Sequence, residues 1–250
     1  MKKVFITGGS RGIGRGIASV FAENGYDVAF TYHTAEDEAR ELCKEIESYG
    51  VRAFMLQAAM EERGVAEAVT AKAIEALGGI DALICNAGRT VHNRILDTTE
   101  EDCDYLYNLN YRSYLMCAKV AARRMVADGT EGSIVFITST RSMRAYPEDC
   151  LYGGLKAALN RSAESMALDL AKYRIRVNCI APGNTMVRGN FTPEELSRTP
   201  FQKRIPLGRS GTPREVGMLA LYLCSDAAAY ITGDIIKIDG GLILPGMPEH

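Results

Sequence analysis

Short apolar runs rich in β-branched and aromatic residues alternate along this chain with longer stretches whose apolar positions recur every three or four residues. The runs are VFIT (4–7), VAFTY (28–32), AFMLQ (53–57), ALIC (82–85), IVFIT (134–138), RVNCIA (176–181) and IIKI (235–238). Their length and composition predict about seven strands. Helical spacing fills 35–49, 61–77, 100–127, 152–172 and 213–224. In the first of these, Ala39, Leu42, Ile46 and Tyr49 fall at intervals of three or four, the stripe of an amphipathic helix. Strands alternating with helices imply βαβ units: a doubly wound, parallel α/β sheet covered on both faces, with ligand chemistry at the carboxyl ends of its strands. No linker, repeat or low-complexity tract divides residues 1–250, so one domain is expected. The one long irregular stretch, about 184–211, reads as a substrate lid.

Composition narrows the function classes. The 250 residues are 47% hydrophobic and 24% charged, with a formal net charge of -2. Neither disorder nor a polyanion-binding surface follows, and no nucleic-acid partner is expected. The opening MKKVFITGG reaches its glycines too soon for the apolar segment of a signal peptide, and no run of eighteen apolar residues occurs. A cytoplasmic protein with no membrane partner is therefore expected. The seven cysteines (Cys43, Cys85, Cys103, Cys117, Cys150, Cys179, Cys224) are widely spaced without a C-x-x-C pair and read as buried thiols of a reducing compartment. The three histidines, His33, His92 and His250, lie far apart, leaving little material for a metal site or a histidine-based hydrolase.

Directly after the first strand comes Thr7-Gly8-Gly9-Ser10-Arg11-Gly12-Ile13-Gly14, then a helical stretch with Ile17, Val20 and Phe21 on one face. Glycines let the backbone turn tightly against a pyrophosphate, and the helix start offers it unpaired N–H groups and partial positive charge. At the end of the second strand stands Thr31-Tyr32-His33-Thr34, without the acid that would bind a ribose 2′-hydroxyl and repel a 2′-phosphate. Arg11 can reach such a phosphate, and His33 or Thr34 can add a donor, which favours NADP(H) over NAD(H). A solvated surface arginine is the alternative for Arg11. Further along, Ile137-Thr138-Ser139 closes the fifth strand, and Tyr152-Gly153-Gly154-Leu155-Lys156 opens a helix, placing phenol and amine on one face.

The spacing of Gly8, Gly12 and Gly14, the Asn86-Ala87-Gly88 turn, Ser139 thirteen positions before Tyr152, and Lys156 four after it together resemble the short-chain dehydrogenase/reductase family. The resemblance runs from Thr7 to Asp239-Gly240-Gly241, with 3-oxoacyl-carrier-protein reductases and glucose dehydrogenases the nearest groups within it. It implies a Rossmann fold, a nicotinamide dinucleotide cofactor and hydride transfer between nicotinamide and a small carbonyl or secondary alcohol. It makes Tyr152 the acid/base, Lys156 its electrostatic partner and holder of the nicotinamide ribose, Ser139 the substrate-orienting hydroxyl, and Asn110 the asparagine that holds a relay water. Ser142 competes with Ser139 but sits deeper in the loop. Pro182-Gly183 resembles the turn beside the nicotinamide carboxamide, with Thr185 a carboxamide contact of uncertain register. Ser10 and Ile13 belong to the cofactor loop, and Asn86, Ala87 and Gly88 flank the adenosine while bracing the sheet. Members usually carry an Asp after the third strand, where this chain has Ala59.

Magnitudes fit the acid/base assignment. A phenol of pKa about 10 must fall by roughly 3 units to work near neutrality, about 4 kcal/mol. An ammonium about 4 Å away supplies on the order of 4 kcal/mol at an effective dielectric of 20. The lid holds Arg188, Arg198, Lys203, Arg204 and Arg209 against Glu194 and Glu195, which either steers an anionic substrate or is an ordinary solvated loop. The family resemblance implies a homotetramer pairing 100–127 and 152–172, braced by the tail from Leu242 to Pro248; the alternative is that these apolar faces serve the core of one monomer. A non-catalytic dinucleotide sensor is the alternative function, and a methyltransferase on a related sheet would leave Tyr152 and Lys156 without a role.

Overall fold

All seven expected strands form, each within one or two residues of its apolar run. A computed structural model describes residues 1–189 and 191–244. In chain order the elements are β1 (Lys3–Ile6), α1 (Gly12–Glu23), β2 (Asp27–Tyr32), α2 (Glu36–Ser48), β3 (Ala53–Gln57), α3 (Val65–Leu77), β4 (Ala82–Cys85), α4 (Glu100–Tyr107), α5 (Ser113–Asp128), β5 (Ser133–Ile137), α6 (Cys150–Leu170), β6 (Arg176–Pro182), α7 (Pro193–Leu196), α8 (Pro200–Lys203), α9 (Pro213–Leu223) and β7 (Ile235–Ile238). The strands make one sheet in the order β3-β2-β1-β4-β5-β6-β7, and every pairing is parallel. Chain order reverses between β1 and β4, so the loops after these strands diverge and leave a crevice at their carboxyl ends.

Alternation along the strands sends side chains to two cores. Val4 and Ile6 of β1 join α1, α2 and α9 on one face through Ile17, Phe21, Leu42, Ile46, Val216 and Leu223. Phe5 faces the other way, into the layer built from α3, α5 and α6. Ile17, Val20 and Phe21 are fully buried, as are Ala39, Leu42 and Ile46, whereas Tyr49 is 45% exposed. The expected stripe ends one turn early there because α2 stops at Ser48 and Tyr49 is its C-cap.

Two stretches depart from expectation. The run 100–127 is not one helix: a π-helical turn over Asn108–Arg112 separates α4 from α5, an insertion that leaves apolar spacing almost unchanged and is therefore invisible to it. The 184–211 stretch is not wholly irregular, because α7 and α8 lie within it. Each starts with a capping box, Thr192 with Glu195 and Thr199 with Gln202, followed by Pro at the first helical position. Its two ends are tied together: Gly211 N donates to Asn184 O at 2.9 Å, Met186 N to Gly211 O at 2.9 Å, and the Asn184 amide to Ser210 Oγ at 2.9 Å.

Of the cysteines, Cys85, Cys117, Cys179 and Cys224 are buried as expected, but Cys103 and Cys150 are exposed and Cys43 half-buried. Cys103 lies on the exposed side of α4, whose buried residue is Leu106, and Cys150 is the first residue of α6. Among the described residues no helix is long and apolar enough to cross a membrane. Residues 245–248 of the expected brace, and His250, lie outside the described residues.

Candidate active site

The crevice between the diverging loops is a cleft of about 790 Å³. Its floor is the glycine loop. Gly8 has φ +68°, a backbone conformation that side chains disfavour. A Cβ on Gly14 would lie 2.1 Å from Gly8 O and 2.6 Å from the Asn86 amide nitrogen, so the helix can approach the loop this closely only with glycine there. Neither Gly14 nor Gly12 lines the cleft. Gly12 opens α1 beneath the side chain of Val187, while Gly8, Ser10, Arg11, Ile13 and Val187 line the cleft.

Hydroxyls at the strand ends lock this floor. Thr31 Oγ1 accepts from Gly8 N at 2.8 Å. Thr7 Oγ1 accepts from Asn86 N at 2.9 Å and Ala87 N at 3.0 Å. The Asn86 amide donates in return to Thr7 O and Gly8 O, at 3.0 and 2.9 Å. The Asn86-Ala87-Gly88 turn is thus both a brace of the glycine loop and part of the cleft lining. Arg11, the N-cap of α1, makes no side-chain cap, and the helix has no acid in its first turn. The first N–H groups of α1 remain available to an anion, the condition a dinucleotide pyrophosphate requires.

At the end of β2 the cleft is lined by Tyr32, His33, Thr34 and Ala35, with Arg11 across from them. The acids Glu36, Asp37 and Glu38 form the first turn of α2 and do not line it. Charged lining groups are Arg11, Arg89 and Lys156 against Glu61 alone, a net positive wall suited to a polyanion.

Ser139, Tyr152 and Lys156 meet at the opposite end, together with Thr90, Tyr105, Thr138, Pro182 and Gly183. Ser139 follows β5 and caps a short 3-10 turn, while Tyr152 and Lys156 stand one turn apart near the start of α6. Ser142 lies outside the cleft, bonded to Ser139 O and Asn160. Lys156 is 3% exposed and donates to Ile137 O at 2.9 Å and to the Tyr114 hydroxyl at 3.2 Å.

A family model described as Enoyl-(Acyl carrier protein) reductase matches residues 8–243. The chain is 32% identical to the L-rhamnose 1-dehydrogenase (NAD(P)(+)) of Sphingomonas sp. strain SKA58 over 96% of either chain. It is 30% identical to the 3-oxoacyl-[acyl-carrier-protein] reductase FabG of Staphylococcus aureus strain Mu50 over 97% of this chain and 98% of that one. The crystal structure of acetoin dehydrogenase YohF from Salmonella typhimurium superposes with a TM-score of 0.92 at 32% identity, covering 100% of this chain and 99% of that chain. The chain belongs to the short-chain dehydrogenase/reductase family. Members are oxidoreductases that use a nicotinamide dinucleotide to act on a carbonyl or alcohol.

Several residues taken from the family pattern lie outside the cleft lining. Asn110 is fully buried and does not line the cleft. Its amide donates to Arg89 O at 2.7 Å and accepts from Arg89 N at 3.0 Å. Both ends of this amide hold the strand-four loop, which passes directly overhead: a Cβ on Gly88 would lie 2.6 Å from Asn110 Oδ1. Thr185 also lies outside the lining. Its backbone bridges to Gly211 and its hydroxyl is 3.5 Å from Gly183 O. Ala58 and Met60 line the cleft beside the expected adenine position, but Ala59 does not. None of Arg188, Arg198, Lys203, Arg204 and Arg209 lines it either, and Arg209 is paired with Glu215 of α9 at 2.6 Å.

The electrostatics of Tyr152 differ from the simple ion-pair estimate. Burial raises the phenol above its ordinary pKa, while hydrogen bonding with Thr90 and Ser139 opposes the rise; Asp149 pushes it up and Arg141 down. Lys156 Nζ stands 5.7 Å from the Tyr152 ring centre and is bonded elsewhere. Its own pKa is depressed by burial to about 7. In the chain alone the phenol therefore keeps its proton. Asp149 is 5% exposed and pairs with Arg141 at 3.1 Å, and the guanidinium stacks 4.7 Å over the Tyr146 ring.

Thr90 and Tyr114 belong to no motif that would mark them in the sequence. Thr90 follows the N-A-G turn by two positions and Tyr114 follows Asn110 by four, offsets that say little without a fold.

Proposed function

We propose that the protein is an NADP(H)-dependent oxidoreductase that interconverts a small ketone and its secondary alcohol, with Tyr152 as the acid/base. The observation that carries the reading is one cleft lined at one end by an uncapped helix start and Arg11, and at the other by Ser139, Tyr152 and Lys156. Ser10, Ile13 and the N–H groups at the start of α1 would hold the pyrophosphate, with Gly8, Gly12 and Gly14 giving it room. Arg11, His33 and Thr34 would take the 2′-phosphate, Asn86, Ala87 and Gly88 the adenosine side, and Pro182 and Gly183 the nicotinamide end. When bound, the dinucleotide supplies or accepts the hydride.

The chain's own residues do the rest. Ser139 and Tyr152 hydrogen-bond the carbonyl oxygen and hold it in place. Tyr152 Oη, kept protonated by burial, gives its proton to that oxygen as negative charge develops there. The positive charge of Lys156, and Thr90 and Ser139 as hydrogen-bond partners, stabilise the phenolate left behind. Asn110 acts through Arg89 as a positioning residue. Thr185 has no part in this reading, and the sensor alternative leaves the polar cluster around Tyr152 without a task. The names of the relatives, a sugar dehydrogenase, an acyl reductase and an acetoin dehydrogenase, support a polar carbonyl substrate without choosing among them. The cytoplasmic setting and homotetramer belong to the same reading.

The test is nucleotide oxidation with acetoin, diacetyl, aldoses and acetoacetyl thioesters, run with NADPH and with NADH. NADPH should be preferred. Arg11→Ala should raise its KM about tenfold or more, the loss of one charge-assisted contact, and leave that for NADH within about twofold. Equal KM changes for both nucleotides would remove Arg11 from the phosphate site, and no turnover with either would overturn the function.

A further inference from the structure

We propose that Tyr114 is a positioning residue for the reaction: its hydroxyl holds the Lys156 amine at the end of β5 and helps keep it charged. The inference rests on the reading of Tyr152 and Lys156 given above.

Tyr114 is 1% exposed, on α5, and its ring packs edge-on against Phe136 at 5.5 Å. A core tyrosine needs one partner for its hydroxyl, and Ile137 O accepts that bond at 3.3 Å. The Tyr114 hydroxyl oxygen in turn accepts a bond from Lys156 Nζ at 3.2 Å, while Nζ also donates to Ile137 O at 2.9 Å. Amine, phenol and carbonyl form a closed triangle. An ammonium has three N–H donors, so two are occupied inside the protein and one is left for the cleft that Lys156 lines.

What surrounds this amine makes the hydroxyl matter. The groups that face it are the thiols of Cys85 from β4 and Cys179 from β6, Tyr114 from α5 and Tyr152 from its own helix. None of these is a carboxylate. The charge is sheltered by a hydroxyl, a carbonyl and the face of the Tyr114 ring, whose centre lies 4.7 Å from Nζ. Phenylalanine would keep the ring and its packing and remove only the hydroxyl oxygen. A buried ammonium that loses one of two acceptors shifts toward its neutral form.

The experiment compares the full-length wild type with Tyr114→Phe. Lysine labelled with ¹³C at Cε is followed by NMR across pH 5 to 10 (about), and the Lys156 signal is assigned by its absence in Lys156→Met. The wild-type midpoint is expected near 7, and Tyr114→Phe should move it down by about one pH unit, a tenfold change in the protonation equilibrium. The alkaline limb of kcat should move by the same amount with KM for the carbonyl substrate unchanged. An unmoved midpoint overturns the proposal. If the wild type turns over no substrate, the enzymatic reading falls, but the titration still decides what Tyr114 does. Should Tyr114→Phe fail to fold, 3-fluorotyrosine at position 114 gives a ¹⁹F signal that must titrate with the Lys156 midpoint and lose that inflection in Lys156→Met. A flat signal overturns the proposal as well.

Discussion

Replacing Lys156 by Met should change stability in a way that depends on pH, and the size of the effect can be worked from its burial. The amine is fully enclosed, and its pKa falls from the ordinary 10.5 to about 7. Between those values the unfolded chain binds a proton that the folded chain does not, so stability rises with pH across that window. Below about 7 both states are charged and the whole penalty is present. At one proton per unit of pH, the penalty is about 4 kcal/mol at pH 7 and about 1 kcal/mol at pH 9.5. Met carries no such proton, so the stability difference between Lys156→Met and wild type should shrink by about 3 kcal/mol over that interval, in the direction that favours the variant at neutral pH. The bonds lost to Ile137 O and Tyr114 are common to both conditions and drop out of the comparison. Urea unfolding of both proteins at the two pH values measures it. A difference that stays constant within about 0.5 kcal/mol would refute a strongly depressed lysine.

Two further outcomes follow from the packing. Asn110→Ala should lower the melting temperature by roughly 4–8 °C, since it leaves the N–H and C=O of Arg89 unpaired at a cost of about 2 kcal/mol; a melt within about 1 °C of wild type would show that the Arg89 contact contributes nothing. Gly14→Ala cannot fit a Cβ 2.1 Å from Gly8 O without moving the loop, so NADPH affinity, read by fluorescence titration, should fall by about tenfold or more, and unchanged affinity would mean the loop is not the phosphate cradle.

Much of this molecule is legible in its residues. The sheet is readable because strands buried on both faces are continuous apolar runs, and the cofactor floor because only glycine fits where α1 meets the loop. Tyr152, Lys156 and Ser139 converge as their spacing implies. Asn110 sits on a π turn with its amide bonded to Arg89, and that turn arises from one extra residue that apolar periodicity does not register. The capping signals Thr192-Pro193-Glu194-Glu195 and Thr199-Pro200-Phe201-Gln202 were present in the chain and announce the two short helices of the 184–211 stretch, although neither helix has an apolar stripe long enough to mark it. Tyr114 was hidden for a different reason. It fits a core-facing helix position, and only the fold brings its hydroxyl to the amine from α6. Electrostatics were the least legible. The sign of the Tyr152 shift depends on burial and on where the lysine's hydrogen bonds go, neither of which spacing contains.

The account stands on Tyr152 as the proton donor. Single-turnover reduction with enzyme in excess over NADPH, comparing wild type with Tyr152→Phe, tests this most directly. The variant should bind NADPH within about twofold of wild type and lose at least about a hundredfold in the hydride-transfer rate, the usual contribution of a positioned acid. A rate within about tenfold of wild type would contradict the assignment.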